Sequence, residues 1–481
     1  ANALKGAIFA ANCYEGLVRI MADGTIGKGV ATDWNISDDG LTYTFKLRNN
    51  SHWAMFSGHK AVLGENYEDT FDITVKAEDF KFGIERTLSE QTGSADAPLF
   101  SAVKSISTPD DFTIVFNLSY ADDNFLYALT NPGAMPCDEE FFNLTNGKYG
   151  LDAKYLLCNG PFHVSKWTEK TSVKLAKNNE YNGESSVSPS SVTFYINNND
   201  SEVADKMNSV TYDVAFLSSS QFSSIENKKD LNSVAVQNVT YSFIFNQNDN
   251  NYRNKNMRLA FCRSCDTSSL FDSQSDISKA DGIVPPSCKI GGEDYRNGNA
   301  AELLSYDETL AKKNFNDALL ELGSSSVETT ILCTEQYEPF VKQMVQKLQK
   351  TLGVKFVSTV KVVSESDLEA AVNDGNYSVA FYPFKAKSSF AGEIIEGFDQ
   401  NNIFGYESDV LSQKIRNIKN NSGSLEGERS AVADAENYLV SEAVIMPVFY
   451  ENSYFVTSKK TSGIYFYSSA DNVCFINAKK S

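Results

Sequence analysis

The apolar periodicity of this chain changes near Asn246, which rules out one repeating scheme of folding from end to end. Before that point strand signals dominate. Leu41-Thr-Tyr-Thr-Phe-Lys-Leu-Arg48 alternates so that Leu41, Tyr43, Phe45 and Leu47 share one face, and Asp38-Asp-Gly40 ahead of it supplies hairpin-turn chemistry. Asp110-Asp111 followed by Phe112-Thr-Ile-Val-Phe-Asn-Leu118 repeats the theme. Between them, Ala77 to Leu88 places Phe80, Ile84 and Leu88 on one helical stripe. A second β-rich stretch runs from Gly160 to about Phe245, including Ser172-Val-Lys-Leu175 and Ser191-Val-Thr-Phe-Tyr-Ile196.

After Asn246 helix alternates with strand. Phe340, Met344, Val345, Leu348 and Leu352 form one stripe that Gly353 stops, and Val354 to Val363 reads as a strand. Ser364 can cap a helix running through Asn373 to a stop at Gly375, and Tyr377-Ser-Val-Ala-Phe-Tyr382 reads as a buried strand. Such β-α-β alternation predicts a partly parallel sheet. A chain of 481 residues also exceeds a single core, since cores stop growing near ~250–300 residues. Two or three lobes are expected.

Charge narrows the function. The formal net charge is −19 with no Lys/Arg block, a surface that repels nucleic acid and anionic lipid. No run of 18 or more apolar residues is present, as a membrane-spanning helix would need. The sequence starts at Ala1 without Met or a signal peptide, as a mature or trimmed form of an exported protein would.

Chemistry-bearing motifs are sparse. Of eight cysteines, Cys13, Cys137, Cys158, Cys262, Cys265, Cys288, Cys333 and Cys474, only Cys262-Arg-Ser-Cys265 has CxxC spacing. No second ligand pair stands at finger-like spacing, so buried thiols are expected ahead of metal or redox chemistry. Three histidines occur, His52, His59 and His163. His52 and His59 with Glu65 offer a two-His, one-Glu set, and a secreted zinc hydrolase is the alternative from another functional class. No HExxH, GxSxG, P-loop or GxGxxG motif accompanies it.

A series of fragments carries a family likeness. It comprises Tyr14-Glu-Gly-Leu-Val18, Gly29-Val-Ala-Thr-Asp-Trp-Asn-Ile-Ser-Asp-Asp-Gly-Leu-Thr-Tyr-Thr-Phe-Lys-Leu-Arg48, Lys76-Ala-Glu-Asp-Phe80 and Asn159-Gly-Pro-Phe162. Lys177-Asn-Asn-Glu-Tyr181, Phe245-Asn-Gln-Asn248, Met257-Arg-Leu-Ala-Phe261, Gly282-Ile-Val-Pro-Pro286 and Ile445-Met-Pro-Val448 continue it. In this order, over nearly the whole chain, they resemble the dipeptide- and oligopeptide-binding proteins among bacterial extracellular solute-binding proteins. The chain departs from that pattern in having little before Tyr14, and in His52 to Ile73, which reads as an inserted hairpin.

The resemblance implies a mixed α/β, two-lobed hinge fold of the periplasmic-binding-protein type with three sub-domains and a discontinuous first lobe. Lobe one would comprise 1–30, 156–246 and a return over 450–481. Residues 31–155 would be an extra β-rich sub-domain, and 247–449 an α/β lobe two. It also implies a monomer, not an enzyme, without a cofactor and without nucleic-acid partners. Such a protein would capture a peptide or peptide-like ligand by hinge closure and pass it to a membrane ABC permease. It would sit outside the cytoplasm, lipid-anchored through a removed N-terminal segment or periplasmic. A non-peptide solute such as an oligosaccharide is the alternative within transport.

In peptide-binding members an acid holding the ligand amine follows an aromatic after the buried strand. Here the matching segment is Phe381-Tyr-Pro-Phe384-Lys-Ala-Lys387, which keeps the aromatic and puts Lys387 at the acid position. Lys385 or Lys387 could instead hold a ligand carboxylate, or both could face solvent. Tyr14, Tyr241, Phe243, Tyr382 and Phe384 are aromatic candidates for the ligand wall, against ordinary core packing. Ser218, Ser219 and Ser220, after a strand ending at Leu217, are candidate polar partners, against a solvated turn.

Overall fold

The computed structural model of the protein describes residues 6–21, 25–94, 96–183, 186–196, 200–267, 271, 277–385, 390–399, 402–467 and 472–481. It divides into two compact units, Ala1–Val234 with Tyr454–Ser481, and Ala235–Ser453. The chain leaves the first unit within the strand Leu231–Phe245 and returns to it within the strand Ile445–Ser458.

In the first unit the Asp-Gly hairpin forms as its turn chemistry dictates. Ala31–Ile36 pairs antiparallel with Thr42–Leu47, and Gly40 takes φ +68°, which glycine adopts without a Cβ clash. Asp39 accepts from Ser37 Oγ at 2.6 Å and Leu41 N at 3.0 Å, closing the turn. Thr113–Leu118 and Val103–Asp110 complete a four-stranded antiparallel sheet. Phe45 and Phe116 meet edge-on at 5.9 Å in its core. The helix Ala77–Leu88 buries Phe80 and Ile84, two members of the stripe read from the sequence.

The segment expected to be an inserted hairpin is one only at its base. There Trp53 N bonds Ile73 O at 2.7 Å and Val75 N bonds Ser51 O at 2.8 Å. Its interior is instead a 3-10 turn, Ser57–His59, and two short helices, Lys60–Leu63 and Tyr67–Thr70. Burial of His59 and Tyr67 decides this, because helical turns put both rings inward where an alternating strand pair would expose part of the run.

Two of the family-like fragments explain each other. Asn159 donates to Glu15 O at 2.9 Å and accepts from Glu15 N at 3.0 Å, tying Asn-Gly-Pro-Phe to Tyr-Glu-Gly-Leu. A Cβ on Gly160 would sit 2.6 Å from the backbone of Cys13 and Tyr14, so only glycine permits the approach.

The second unit is built on one mixed sheet. Its order runs from the returning strand to the outgoing strand, then Val379–Lys385, Val327–Thr334 and Phe356–Val363, with Ile277–Lys279 on the returning strand's other edge. Val327–Thr334 is parallel to both neighbours, as the β-α-β reading predicts. The connecting helices are Glu338–Leu352, stopped by Gly353 at φ +78°, and Glu365–Asn373. Ser364 caps the latter by accepting from Asp367 N at 3.1 Å.

Each sheet face covers its own cluster. One contains Phe243, Phe245, Phe261, Met344 and Leu348; the other contains Ile244, Tyr295, Ile395 and Leu439. Buried charges serve as clasps here. Arg258 donates to the carbonyls of Tyr252, Arg253, Glu442 and Ala443, which explains the Met257-Arg-Leu-Ala-Phe261 fragment. Glu436 accepts from Ile283 N at 2.6 Å, Val284 N at 2.9 Å, Tyr295 Oη at 3.1 Å and Arg296 Nη1 at 2.9 Å, and so fixes Gly282-Ile-Val-Pro-Pro286.

Candidate functional site at the carboxyl edge of the parallel strands

Three parallel strands of the second unit end on one edge, at Thr334, Val363 and Lys385. Ligands of open α/β sheets bind outside the carboxyl ends of such strands, which makes this edge the place to look. Gln336 and Tyr337 follow the first strand, Glu365 the second, and Lys385 ends the third. The outgoing strand adds Tyr241 and the returning strand adds Glu451.

These groups form a defined cluster. Tyr337 Oη donates to Glu451 Oε1 at 2.5 Å, and Gln336 Nε2 donates to Tyr337 Oη at 3.1 Å. The Tyr241 ring lies 4.3 Å from Tyr337, 5.1 Å from Phe449 and 5.5 Å from Phe381. Burial raises the Glu451 carboxyl above the usual range and the nearby Glu365 adds to this, while Tyr337, Gln336 and Lys385 oppose it. Burial likewise pushes the Tyr337 and Tyr241 phenols far up, so both remain neutral hydrogen-bonding groups. Such an edge can recognise a ligand: it presents an acidic acceptor, phenolic donors and aromatic faces.

The residues singled out from the sequence fall in different places. Tyr241 is at this edge. Phe243, two residues on, is 0% exposed between Phe261 at 5.3 Å and Phe381 at 4.9 Å, so its reading as ligand wall is corrected to core packing. Tyr382 and Phe384 pair with Ser242 and Thr240 and pack half-buried against the opposite cluster, Phe384 stacking on Phe398 and Phe404 at 5.8 Å each. Strand alternation thus sends them to the other face from Tyr241. Lys385 is exposed, and Lys387 lies outside the described residues.

In the first unit, Tyr14 Oη meets Tyr149 Oη at 3.2 Å, and Tyr14 lines a cavity of about 80 Å³ with Glu15, Arg19 and Tyr181. The loop reading of Ser218, Ser219 and Ser220 is corrected: they start a helix, Ser219–Ser224. Ser218 Oγ accepts from Gln221 N at 3.2 Å and Gln221 Oε1 from Ser218 N at 2.7 Å, a reciprocal cap that occupies both groups. Ser220 Oγ is 2.9 Å from Ser218 Oγ, and Ser219 is buried.

The zinc alternative loses its ligand set. His59 Nε2 is 3.0 Å from Leu156 O, its ring packs edge-on against Phe56 and Phe141, and burial draws its pKa down to about 4. Glu65 is exposed and pairs with Lys60 at 3.3 Å. Among the described residues no group of His, Cys, Asp and Glu is arranged to hold a metal ion. Cys262 and Cys265 are buried free thiols, Cys262 pushed up to about 12 by desolvation, conditions opposite to those of a reactive CxxC.

The fold defines a class. Over its whole length the chain superposes on a peptide-bound OppA of Listeria monocytogenes with a TM-score of 0.77 at 20% identity, covering 96% of that chain. It superposes with a TM-score of 0.78 at 18% identity on a dipeptide-binding protein from Pseudoalteromonas sp. SM9913 in complex with Met-Leu, covering 99% of this chain and 95% of that one. The mixed α/β fold is therefore that of the periplasmic-binding-protein-like binding proteins. Residues 25–404 match the family described as bacterial extracellular solute-binding proteins, family 5 Middle, and the chain belongs to that family. The dipeptide-binding protein DppE of Bacillus subtilis strain 168 is 23% identical over 476 residues, 94% of this chain and 84% of its own length. The oligopeptide-binding protein AliB of Streptococcus pneumoniae is 26% identical over 358 residues, covering 64% of this chain and 52% of AliB.

Sequence reasoning missed Glu451. The one signal that could have found it is an acid directly after the apolar run Ile445-Met-Pro-Val-Phe-Tyr450.

Proposed function

We propose that this chain is the extracytoplasmic substrate-binding protein of an ABC importer, capturing oligopeptides or peptide-like solutes by binding alone and delivering them to a membrane permease. The observation that carries the reading is the 476-residue alignment with a dipeptide-binding protein, within a family match over residues 25–404. The polar and aromatic edge around Tyr241, Tyr337 and Glu451 suits such a ligand, because aromatic rings give contact area at low entropy cost and tolerate varied side chains. Monomeric state and attachment to the membrane through a lipid on a preceding segment complete the proposal.

A thermal-shift screen of the purified protein against peptide pools, oligosaccharides and amino-acid derivatives tests it. A ligand at about 100 times its Kd stabilises by about 2.7 kcal/mol, enough to displace the melting midpoint visibly. A shift with peptides alone is expected. A shift with oligosaccharides alone would overturn peptide capture and leave solute binding, and stoichiometric zinc in the purified protein would bring back the hydrolase.

A further inference from the structure

Cys13 and Cys158 are far apart in the sequence and meet in the interior of the first unit. Cys13 closes the helix Gly6–Cys13, and Cys158 stands directly ahead of Asn159-Gly-Pro-Phe162. Both are buried, and the Cys13 thiol is hydrogen-bonded to the Cys158 side chain. The surrounding backbone fixes the meeting. Gly160 N donates to Cys13 O at 2.9 Å, the Asn159 side chain bonds both Glu15 N and Glu15 O, and Ala54 N donates to Cys158 O at 2.7 Å. Gly160 permits the close passage, since a Cβ there would fall 2.6 Å from the Cys13 carbonyl carbon. A disulfide asks for such an approach, with Cα atoms about 4.4–6.8 Å apart.

Other thiols that could compete are engaged elsewhere. Arg86 Nη1 donates to Cys137 Sγ at 3.5 Å, and Cys265 Sγ donates to Met344 O at 3.6 Å rather than to Cys262. We infer that Cys13 and Cys158 form a disulfide as the chain folds, a covalent staple between the first helix and the Asn-Gly-Pro-Phe segment. The bond forms between the two Sγ atoms. Two protons and two electrons pass to an oxidant disulfide, small-molecule or protein, which is cleaved to two thiols. Both sulfurs are sealed from water once the unit is folded, so the exchange belongs to the folding chain. Burial also raises the Cys13 thiol well above its usual range, which keeps the reactive thiolate scarce in the folded protein. Formation in the cell rests on the proposed extracytoplasmic location, because disulfides persist in oxidising compartments. The pairing itself does not, and is tested in vitro.

The test refolds the full chain from denaturant in two buffers, one holding oxidised and reduced glutathione and one holding dithiothreitol. Each product is denatured, alkylated without further reduction, digested and mapped by mass spectrometry. After glutathione the Cys13 and Cys158 peptides should be joined and lighter by two hydrogens, with Cys137, Cys262 and Cys265 alkylated. After dithiothreitol all eight cysteines should be alkylated. The melting midpoint of the oxidised protein should be higher by at least about 5 °C, since the bond closes a long loop in the unfolded chain. Cys13→Ala combined with Cys158→Ala should melt at the same temperature from either buffer. Alkylation of either thiol after oxidative refolding, a bond to Cys137 in its place, or a wild-type midpoint indifferent to the buffer overturns the assignment, and none of these bears on peptide capture.

Discussion

The two sheet faces of the second unit each border a buried or half-buried glutamate, and the two are treated in opposite ways. Beside one cluster, Glu436 is 1% exposed and receives two backbone N–H groups, the Tyr295 hydroxyl and the Arg296 guanidinium. Every part of its charge is answered from within the chain. Beside the other cluster, Glu451 has the Tyr337 hydroxyl at 2.5 Å, with Gln336 and the exposed Lys385 also acting on its carboxyl. The same side chain is a clasp where buried donors and a guanidinium converge on it, and only a lightly held acid where they do not. What separates the two is completeness of pairing, since both groups are removed from water.

The largest effect should come from breaking the complete one. Glu436→Ala leaves Arg296 buried without its partner and orphans the N–H groups of Ile283 and Val284. Removing one member of a buried pair costs about 3–5 kcal/mol, so the urea midpoint should fall sharply. A loss below about 1 kcal/mol would show that Glu436 is no clasp, and the contrast would collapse.

The incomplete one should respond with the opposite sign. The Glu451 carboxyl is raised in the folded state, first by burial and then by Glu365. A group with a raised folded pKa contributes stability below its unfolded pKa and loses it as pH rises through the folded value. Ligand-free Glu451→Gln should therefore be the more stable protein at pH 8, with the gap closing as pH falls through the raised folded value to the ordinary carboxylate range. Denaturant melts across that range measure it; a variant less stable than wild type at pH 8 would make Glu451 a structural residue like Glu436.

Much of this architecture was legible because its signals are local. The Asp-Gly turn before Leu41, the stripe from Phe340 to Leu352 and the Ser364 cap each depend on residues within one or two turns of each other, and each stands in the structure as read. The helix Asp200–Asn208, by contrast, falls in a stretch that reads as strand-rich, and the turns at Ser57–His59 and Tyr67–Thr70 replace an expected hairpin. Those outcomes are set by tertiary burial. The site was legible in parts. Tyr241 carries an aromatic signal, but so does Phe243, and only the strand register separates the edge from the core. Glu451 and Tyr337 lie 114 positions apart, one acid among 62 Asp and Glu, and no spacing rule joins them. Lys387, at the position where the family resemblance puts an acid, lies outside the described residues.

The smallest effect concerns the hydrogen bond that holds the Glu451 carboxyl in place. Tyr337→Phe keeps the ring against Tyr241 and Phe449 and removes only the hydroxyl, so it should cost about 1 kcal/mol through the lost hydrogen bond to Glu451. In the Glu451→Gln background the same change should cost less, because a neutral amide gains less from the phenol than a carboxylate does. A coupling of at least about 0.5 kcal/mol in this double-mutant cycle is expected. The pH profile supplies an independent reading. The Tyr337 bond lowers the Glu451 carboxyl, with Gln336 and Lys385 on the same side and Glu365 opposed, while Tyr241 stays neutral. Losing that bond raises the carboxyl further, so the pH dependence of stability that Glu451 contributes should move to higher pH. A profile that does not move, with no coupling in the cycle, would show that Tyr337 packs against Glu451 without orienting it.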